Sequence, residues 1–197
     1  VIQAKCIVIA AGAGSFVPRK PPLEGIENFE GKNIFYSIKD KSIFKNKTVL
    51  IAGGGDSALD WTNELSKVAK VNLIHRRKEF RAAPDSVSKM LELEKNDILS
   101  FFTGQLKGIS TGSNKSLKVQ YQDNDNLHYI EADYLLPFYG LKMELGPIAN
   151  WGLNLYENHI NVDTEKFETS VSSIFAIGDI NTYPGKLKLI LSGFHEA

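Results

Sequence analysis

Gly53-Gly54-Gly55-Asp56-Ser57-Ala58 fits the pattern G-x-G-x-x-G/A, with Gly53, Gly55 and Ala58 in the three restricted positions. In such a loop the first glycine permits a tight turn and the second lets a pyrophosphate approach the backbone. The small third residue lets a helix pack on a strand. Free N–H groups at the helix start then face the phosphates. Asp56 reads as a cap for that helix, and Ser57 as a phosphate donor or a first-turn residue. About twenty residues later an acid usually accepts from an adenosine ribose 2′-hydroxyl. This chain instead places His75, Arg76 and Arg77 there, with Arg81 close behind. An acid would repel a 2′-phosphate, whereas guanidinium groups bind it through paired donors. His75 adds a donor or stacks on adenine. The chemistry is therefore that of NADP rather than NAD. The bland alternatives are a ligand-free turn and a solvated basic surface; the coupling of loop and arginines at motif spacing argues against both.

The elements that must hold these residues follow from periodicity. Thr48 to Ala52 reads as a strand, and Asp56 to Ala69 as a helix with Ala58, Trp61, Leu65, Val68 and Ala69 on one face. Val71 to His75 is a second strand, Asp85 to Lys95 a second helix and Ile98 to Thr103 a third strand. Leu117 to Tyr121 alternates with period two before a polar turn at Asp123–Asn126. That predicts an antiparallel hairpin or meander inserted between Gln105 and Glu131. Tyr134 to Phe138 and Ser173 to Ile177 read as further strands, the last stopped by Gly178-Asp179. Lys5 to Ala11 reads as a buried strand ending at Ala10 to Gly14, followed by a proline-rich linker with a helical turn near Ile38. Residues 140–154 read as loop and short helix. The fold class is α/β: a three-layer unit with a parallel sheet covered on both faces and an inserted antiparallel β-meander.

The bulk numbers exclude several classes. The 197 residues carry no net formal charge, which argues for neither nucleic acid nor a membrane surface as partner. No apolar run approaches the ~18 residues of a membrane span. The single cysteine, Cys6, permits no internal disulfide and no CxxC dithiol, and a cytoplasmic location is the simplest reading. In its strand Cys6 reads as a small buried apolar residue. His128, His159 and His195 lack metal-ligand spacing, so no metal is expected. No pair of carboxylates is spaced as a catalytic acid and base. The ends, Val1 in strand-like sequence and SGFHEA like a helix cut short, suggest a fragment of a longer protein.

Four stretches, GGGDSALDW, HRRKEFRA, FYGLKMELGPIANWGL and IFAIGDINTYPGKLKLILSGFHEA, carry a resemblance over nearly the whole chain. Together they resemble the thioredoxin-reductase-like ferredoxin–NADP reductases of bacteria. The resemblance implies a flavoprotein, usually a homodimer, with two Rossmann-type domains, the NADP domain inserted in the FAD domain. It implies residues 1–28 and 146–197 as parts of an incomplete FAD-binding domain and residues 29–145 as the NADP-binding domain. It also implies that Asp179, after Gly178, binds the ribityl–phosphate region of FAD, with a helix N-cap as its plain alternative. Gly12 and Phe16 fall beside FAD on the same ground. Tyr183, Lys186, Lys188 and Phe194 fall in the segment near the flavin without individual roles. The first FAD glycine loop and the C-terminal tail of the family are not in this sequence, so full activity is expected of a longer parent rather than of this piece. The implied reaction passes electrons between NADP(H) and ferredoxin or flavodoxin through FAD. Two alternatives stand beside it. One is a thioredoxin-reductase-like enzyme without its own dithiol, since Tyr36-Ser37-Ile38-Lys39-Asp40 occupies the usual CxxC region. The other is a non-catalytic NADP-binding module, against which the Gly178-Asp179 ending argues.

Overall fold

The computed structural model describes residues 3–12 and 14–197. Val1, Ile2 and Ala13, the last in the turn read after the first strand, lie outside the described residues. The chain runs through β1 (Ile7–Ile9), β2 (Ser15–Pro18), β3 (Thr48–Ala52), α1 (Asp56–Leu65), β4 (Lys70–His75), α2 (Pro84–Lys95) and β5 (Leu99–Thr103). Then come β6 (Gln105–Thr111), β7 (Leu117–Asp123), β8 (Asn126–Ala132) and β9 (Tyr134–Pro137). Last are β10 (Leu141–Glu144), β11 (Leu155–Tyr156), β12 (His159–Asn161), β13 (Ile174–Ala176), β14 (Asn181–Thr182) and α3 (Ile190–Glu196).

These elements form two compact units, Pro18–Gly140 and Val1–Val17 with Leu141–Ala197. The breaks fall at 17/18 and 140/141 rather than at the expected 28/29 and 145/146. The reason is packing: Leu23 and Ile26 are buried against the sheet of the first unit, whereas Leu145 belongs to the core of the second.

The larger unit is built on a parallel sheet in the order β5-β4-β3-β9. Its middle strand β3 has Val49, Leu50, Ile51 and Ala52 fully buried, because both of its faces are covered. Alternation divides them. Val49 and Ile51 face α1 and α2 through Ala58, Leu59, Leu65 and Met90. Leu50 and Ala52 face the meander β6-β7-β8 through Leu106, Leu117, Val119, Tyr121 and Ile130. The three layers are thus helices, parallel sheet and meander. Leu117, Val119 and Tyr121 of β7 are the buried half of the predicted alternation.

Several expectations are corrected. α1 stops at Leu65, and its buried face is Ala58, Leu59, Thr62 and Leu65; Val68 is exposed. The chain must turn back there, because Asn46 N–H reaches the Val68 carbonyl and Lys70 N–H the Lys47 carbonyl, which aligns β4 beside β3. In α2 only Met90 of the four apolar residues is fully buried, and Leu91 points outward. The helical turn of the linker falls at Ser42–Phe44 rather than near Ile38, where Phe44 drops into the core beside Val49.

In the smaller unit β1 pairs in parallel with β13, β2 with β10, and β11-β12-β14 form a third small sheet. Its core is Ile9, Leu145, Leu153, Ile160, Ala176 and Ile180. β1 is shorter than expected and only partly buried: Ile9 is in the core, while Ile7 and Val8 are exposed, since β13 is its one neighbour among the described residues. Cys6 is exposed as well, against the reading of a buried small residue. β10, within the stretch read as loop, is a strand because β2 supplies it with a partner. Among the described residues no helix is long and apolar enough to cross a membrane, and no group of His, Cys, Asp or Glu could hold a metal ion.

Leu59 is buried between α1 and the sheet, so Leu59→Ala should cost about 2–5 kcal/mol in urea unfolding. Leu127→Ala, at an exposed position on β8, should stay within about 0.5 kcal/mol of the wild type.

Candidate functional site: a glycine loop stitched to an arginine segment

The glycine loop begins where β3 ends. Gly53 N–H donates to the Ile74 carbonyl at 3.0 Å, and its φ of 155° is one that side chains rarely allow. A Cβ there would lie 2.6 Å from the Phe138 carbonyl oxygen and 3.0 Å from the Ala58 Cβ. Gly53 and Ala58 thus do what the pattern requires of them: they bring strand, helix and the end of β9 together. Gly55 is different. A Cβ on it would meet no protein atom within 4 Å, and no side chain caps α1 behind it. The space before the helix start is left open, with unclaimed first-turn N–H groups around it, which fits a pyrophosphate.

Asp56 is the first residue of α1 and not its cap; Gly55 holds that place. Its Oδ1 accepts from Ala83 N–H at 2.8 Å, tying the start of α1 to the start of α2. Ser57 is exposed on the first turn.

The arginine segment leaves β4 and comes back to the loop. Arg81 N–H donates to the Gly54 carbonyl at 2.8 Å. Arg76, Arg77 and Arg81 are exposed, and among the described residues none of them joins an ion pair. His75, at the end of β4, stacks on Phe80 with centroids 5.4 Å apart and lies directly against Gly54. Its Nε2 is buried without a hydrogen-bond partner. Burial first, then the charges of Arg76 and Arg77, push the imidazole below its ordinary value of 6.5. One ring face is taken by Phe80, so the earlier alternative of stacking on adenine is left with only the other.

In the smaller unit, β1 and β13 run parallel with Ile9 opposite Ala176. The chain therefore leaves both strands at the same sheet end, toward Gly12 on one and Gly178 on the other. Ligands of α/β sheets bind outside such carboxyl ends. Gly12 and Phe16 are exposed. Gly178, with φ of 77°, turns β13 into a short 3-10 segment. Asp179 is half-buried within that segment; Ile177 holds the cap position, which removes the N-cap alternative.

The residue that sequence reasoning missed is Glu196. Its side chain is buried on α3 and collects four donors. They are Gly178 N–H at 2.7 Å, Asn181 Nδ2 at 2.9 Å, the Tyr183 hydroxyl at 2.9 Å and Lys186 Nζ. Burial alone would raise its carboxyl; Lys186, the Gly178 amide and Tyr183 outweigh that and hold it below the usual carboxylate range. One Glu in the apolar stretch LKLILSGFHEA was the available signal. Tyr183 and Lys186 thus have structural roles, whereas Phe194 is exposed and Lys188 Nζ contacts His159.

Comparison with known proteins follows the same outline. A family model described as pyridine nucleotide-disulphide oxidoreductase matches residues 1–197. A ferredoxin–NADP reductase of Parvibaculum lavamentivorans is 59% identical over 199 residues, covering all of this chain and 58% of that protein. One of Pelagibacter ubique is 56% identical over 192 residues, covering 96% of this chain and 56% of its own length. The chain thus spans less than two thirds of these relatives. Among solved structures, thioredoxin reductase of T. acidophilum has a TM-score of 0.73 at 24% identity, covering 98% of this chain and 62% of that one. Bacillithiol disulfide reductase of Staphylococcus aureus has a TM-score of 0.76 at 19% identity, covering 98% and 59%. At those identities the likeness is one of fold.

Glu196→Ala would strand Lys186 in the interior, and should cost about 3–5 kcal/mol in urea unfolding. Removing both charges as Lys186→Met with Glu196→Leu should recover most of that loss. A second outcome concerns acid. His75 is held neutral in the fold, so its contribution is intact above 6.5 and lost as pH falls below it, where the unfolded chain takes up the proton first. Thermal melts from pH 7.5 to 5 should show that decline, and His75→Gln should flatten it.

Proposed function

The chain belongs to the pyridine nucleotide-disulphide oxidoreductase family, and from that premise we propose that it is the NADP(H)-binding unit, with part of the FAD-binding unit, of a ferredoxin–NADP reductase. The observation that carries the reading is the bond from Arg81 N–H to the Gly54 carbonyl. It ties the segment that carries Arg76, Arg77 and Arg81, none in an ion pair among the described residues, to a loop whose open side suits a pyrophosphate. A dinucleotide lying there with its pyrophosphate at the helix start would present its ribose 2′ position to the arginines.

In this reading the first-turn N–H groups of α1 hold the pyrophosphate and Gly55 leaves room for it. Arg76, Arg77 and Arg81 bind the 2′-phosphate, and His75 packs beneath the loop against Gly54. In the smaller unit, Asp179 accepts from the ribityl hydroxyls of FAD, and Gly178 sets the turn that points it there. The fit rests on a carboxylate that no protein group claims among the described residues. FAD, when bound, exchanges a hydride with the nicotinamide and passes electrons on singly. No side chain is required as acid, base or nucleophile, and the protein's part is orientation and electrostatics.

The names of the relatives supply ferredoxin as the partner; flavodoxin, a homodimer and a cytoplasmic location belong to the same proposal. Dithiol chemistry is not open to this chain. Cys6 is its single cysteine, and Tyr36 donates to Glu30 in the stretch where a dithiol would sit.

Calorimetric titration with NADPH and NADH checks the assignment. NADPH should bind much more tightly, and Arg76→Ala should weaken it by about 1.5–3 kcal/mol while leaving NADH nearly unchanged. Equal weakening of both cofactors would sink the phosphate-clamp role.

A further inference from the structure

Between the end of β4 and the start of α2 the chain runs from Arg76 to Ala83 without regular secondary structure, and all three arginines lie on that stretch. A guanidinium binds phosphate through paired donors of fixed direction, so the backbone that carries it must be held. Phe80 anchors the stretch from within, stacked on His75 and lying against Phe101 with centroids 5.3 Å apart. Ala82 is buried in the core beside α1. Two N–H groups then reach back to the glycine loop. Arg81 N–H donates to the Gly54 carbonyl and Ala83 N–H to Asp56 Oδ1, each at 2.8 Å.

The two bonds skip one residue on each side, so the returning stretch lies alongside the loop instead of touching it at one point. The first bond is made by backbone alone, and no substitution short of proline deletes it. The second depends on a single side chain. Asp56 is exposed and joins no ion pair among the described residues. Farther along, α1 and α2 are joined without it. Ser86 Oγ donates to Asp60 Oδ1 at 2.7 Å, and Asn63 Nδ2 to the Ser86 carbonyl at 3.0 Å. Loss of the Asp56 carboxylate therefore leaves the helices in place and frees the stretch that precedes α2.

We infer that Asp56 is a positioning residue for the 2′-phosphate: by holding Ala83 N–H it sets where the arginines stand relative to the glycine loop. This rests on the NADP(H) reading above and adds a determinant of the choice between the two nucleotides. NADPH and NADH place the same pyrophosphate at the loop, so a disturbance of the loop alone changes both affinities alike. Only the 2′-phosphate depends on where the arginines stand. The charge of Asp56 acts in the opposite direction. A carboxylate repels the more anionic NADPH more than NADH, so removing charge alone raises the preference for NADPH. A fall in that preference reports the lost bond.

The test is calorimetric titration of the 197-residue chain with NADPH and with NADH, for wild type, Asp56→Ala and Asp56→Asn. Asparagine removes the charge and keeps an acceptor at Oδ1. Support is a preference for NADPH that falls in Asp56→Ala by at least about fivefold, the factor an ordinary hydrogen bond is worth. NADH affinity should not fall, which also shows the loop intact, and Asp56→Asn should recover the preference. A preference in Asp56→Ala that stays within that factor of wild type or rises, an equal loss of both nucleotides, or the same fall in Asp56→Asn overturns the inference and leaves the arginine clamp standing. A wild type that does not prefer NADPH fells the clamp and this inference together.

Discussion

At Gly53 the backbone of the larger unit closes on itself. The Phe138 carbonyl approaches it more closely than a side chain would permit, the Ala58 methyl leaves little room beside it, and its own N–H is held by Ile74. β9, α1 and β4 are thereby brought to one point, the carboxyl end of β3. The loop beyond inherits its position from that contact. Gly54 turns its carbonyl to Arg81 and its Cα to His75, and Gly55 opens the space before α1. A bulkier residue at Gly53 would push these segments apart, so the geometry of the glycine loop rests on a missing side chain.

Electrostatics then follow from that geometry. The segment tied to the loop carries Arg76, Arg77 and Arg81, which join no ion pair among the described residues, and a further positive charge beside them would be costly. Burial of His75, together with Arg76 and Arg77, keeps its imidazole neutral. At the opposite end of the same sheet Glu64 pairs with Lys41 and Lys67, while Lys39, Lys45, Lys47 and Lys70 join no ion pair among the described residues. A chain neutral in sum is thus basic at both ends of its parallel sheet.

The smaller unit is organised by a buried ion pair rather than by a close approach. Taking Glu196 and Lys186 out of water carries a desolvation cost that Coulomb attraction alone does not reliably repay. The carboxylate is satisfied because Gly178, Asn181 and Tyr183 donate to it as well. The same contacts fix the turn that carries Asp179 and anchor α3. The outer face of α3, with Ile190, Leu191 and Phe194, stays exposed.

By itself, the sequence determined what depends on local pattern. Thr48–Ala52 was legible as a strand because an apolar run ends in glycines, and β7 because its apolar residues alternate. The glycine loop and the arginines were legible because their spacing is short-range and set by a strand–helix–strand unit. Tertiary structure decided what depends on partners distant in the chain. β10 is a strand only because β2 lies beside it, and Ile7 and Val8 of β1 are exposed because β13 is its one neighbour among the described residues. Asp56 reaches Ala83 rather than its own helix. Arg81 is held to Gly54 by a backbone amide, a group every residue but proline carries and no composition reveals. Glu196 becomes the centre of a site because four donors converge on it from a turn its own helix packs against. A hydrogen bond or ion pair needs both of its members in place, and only the folded chain brings them together.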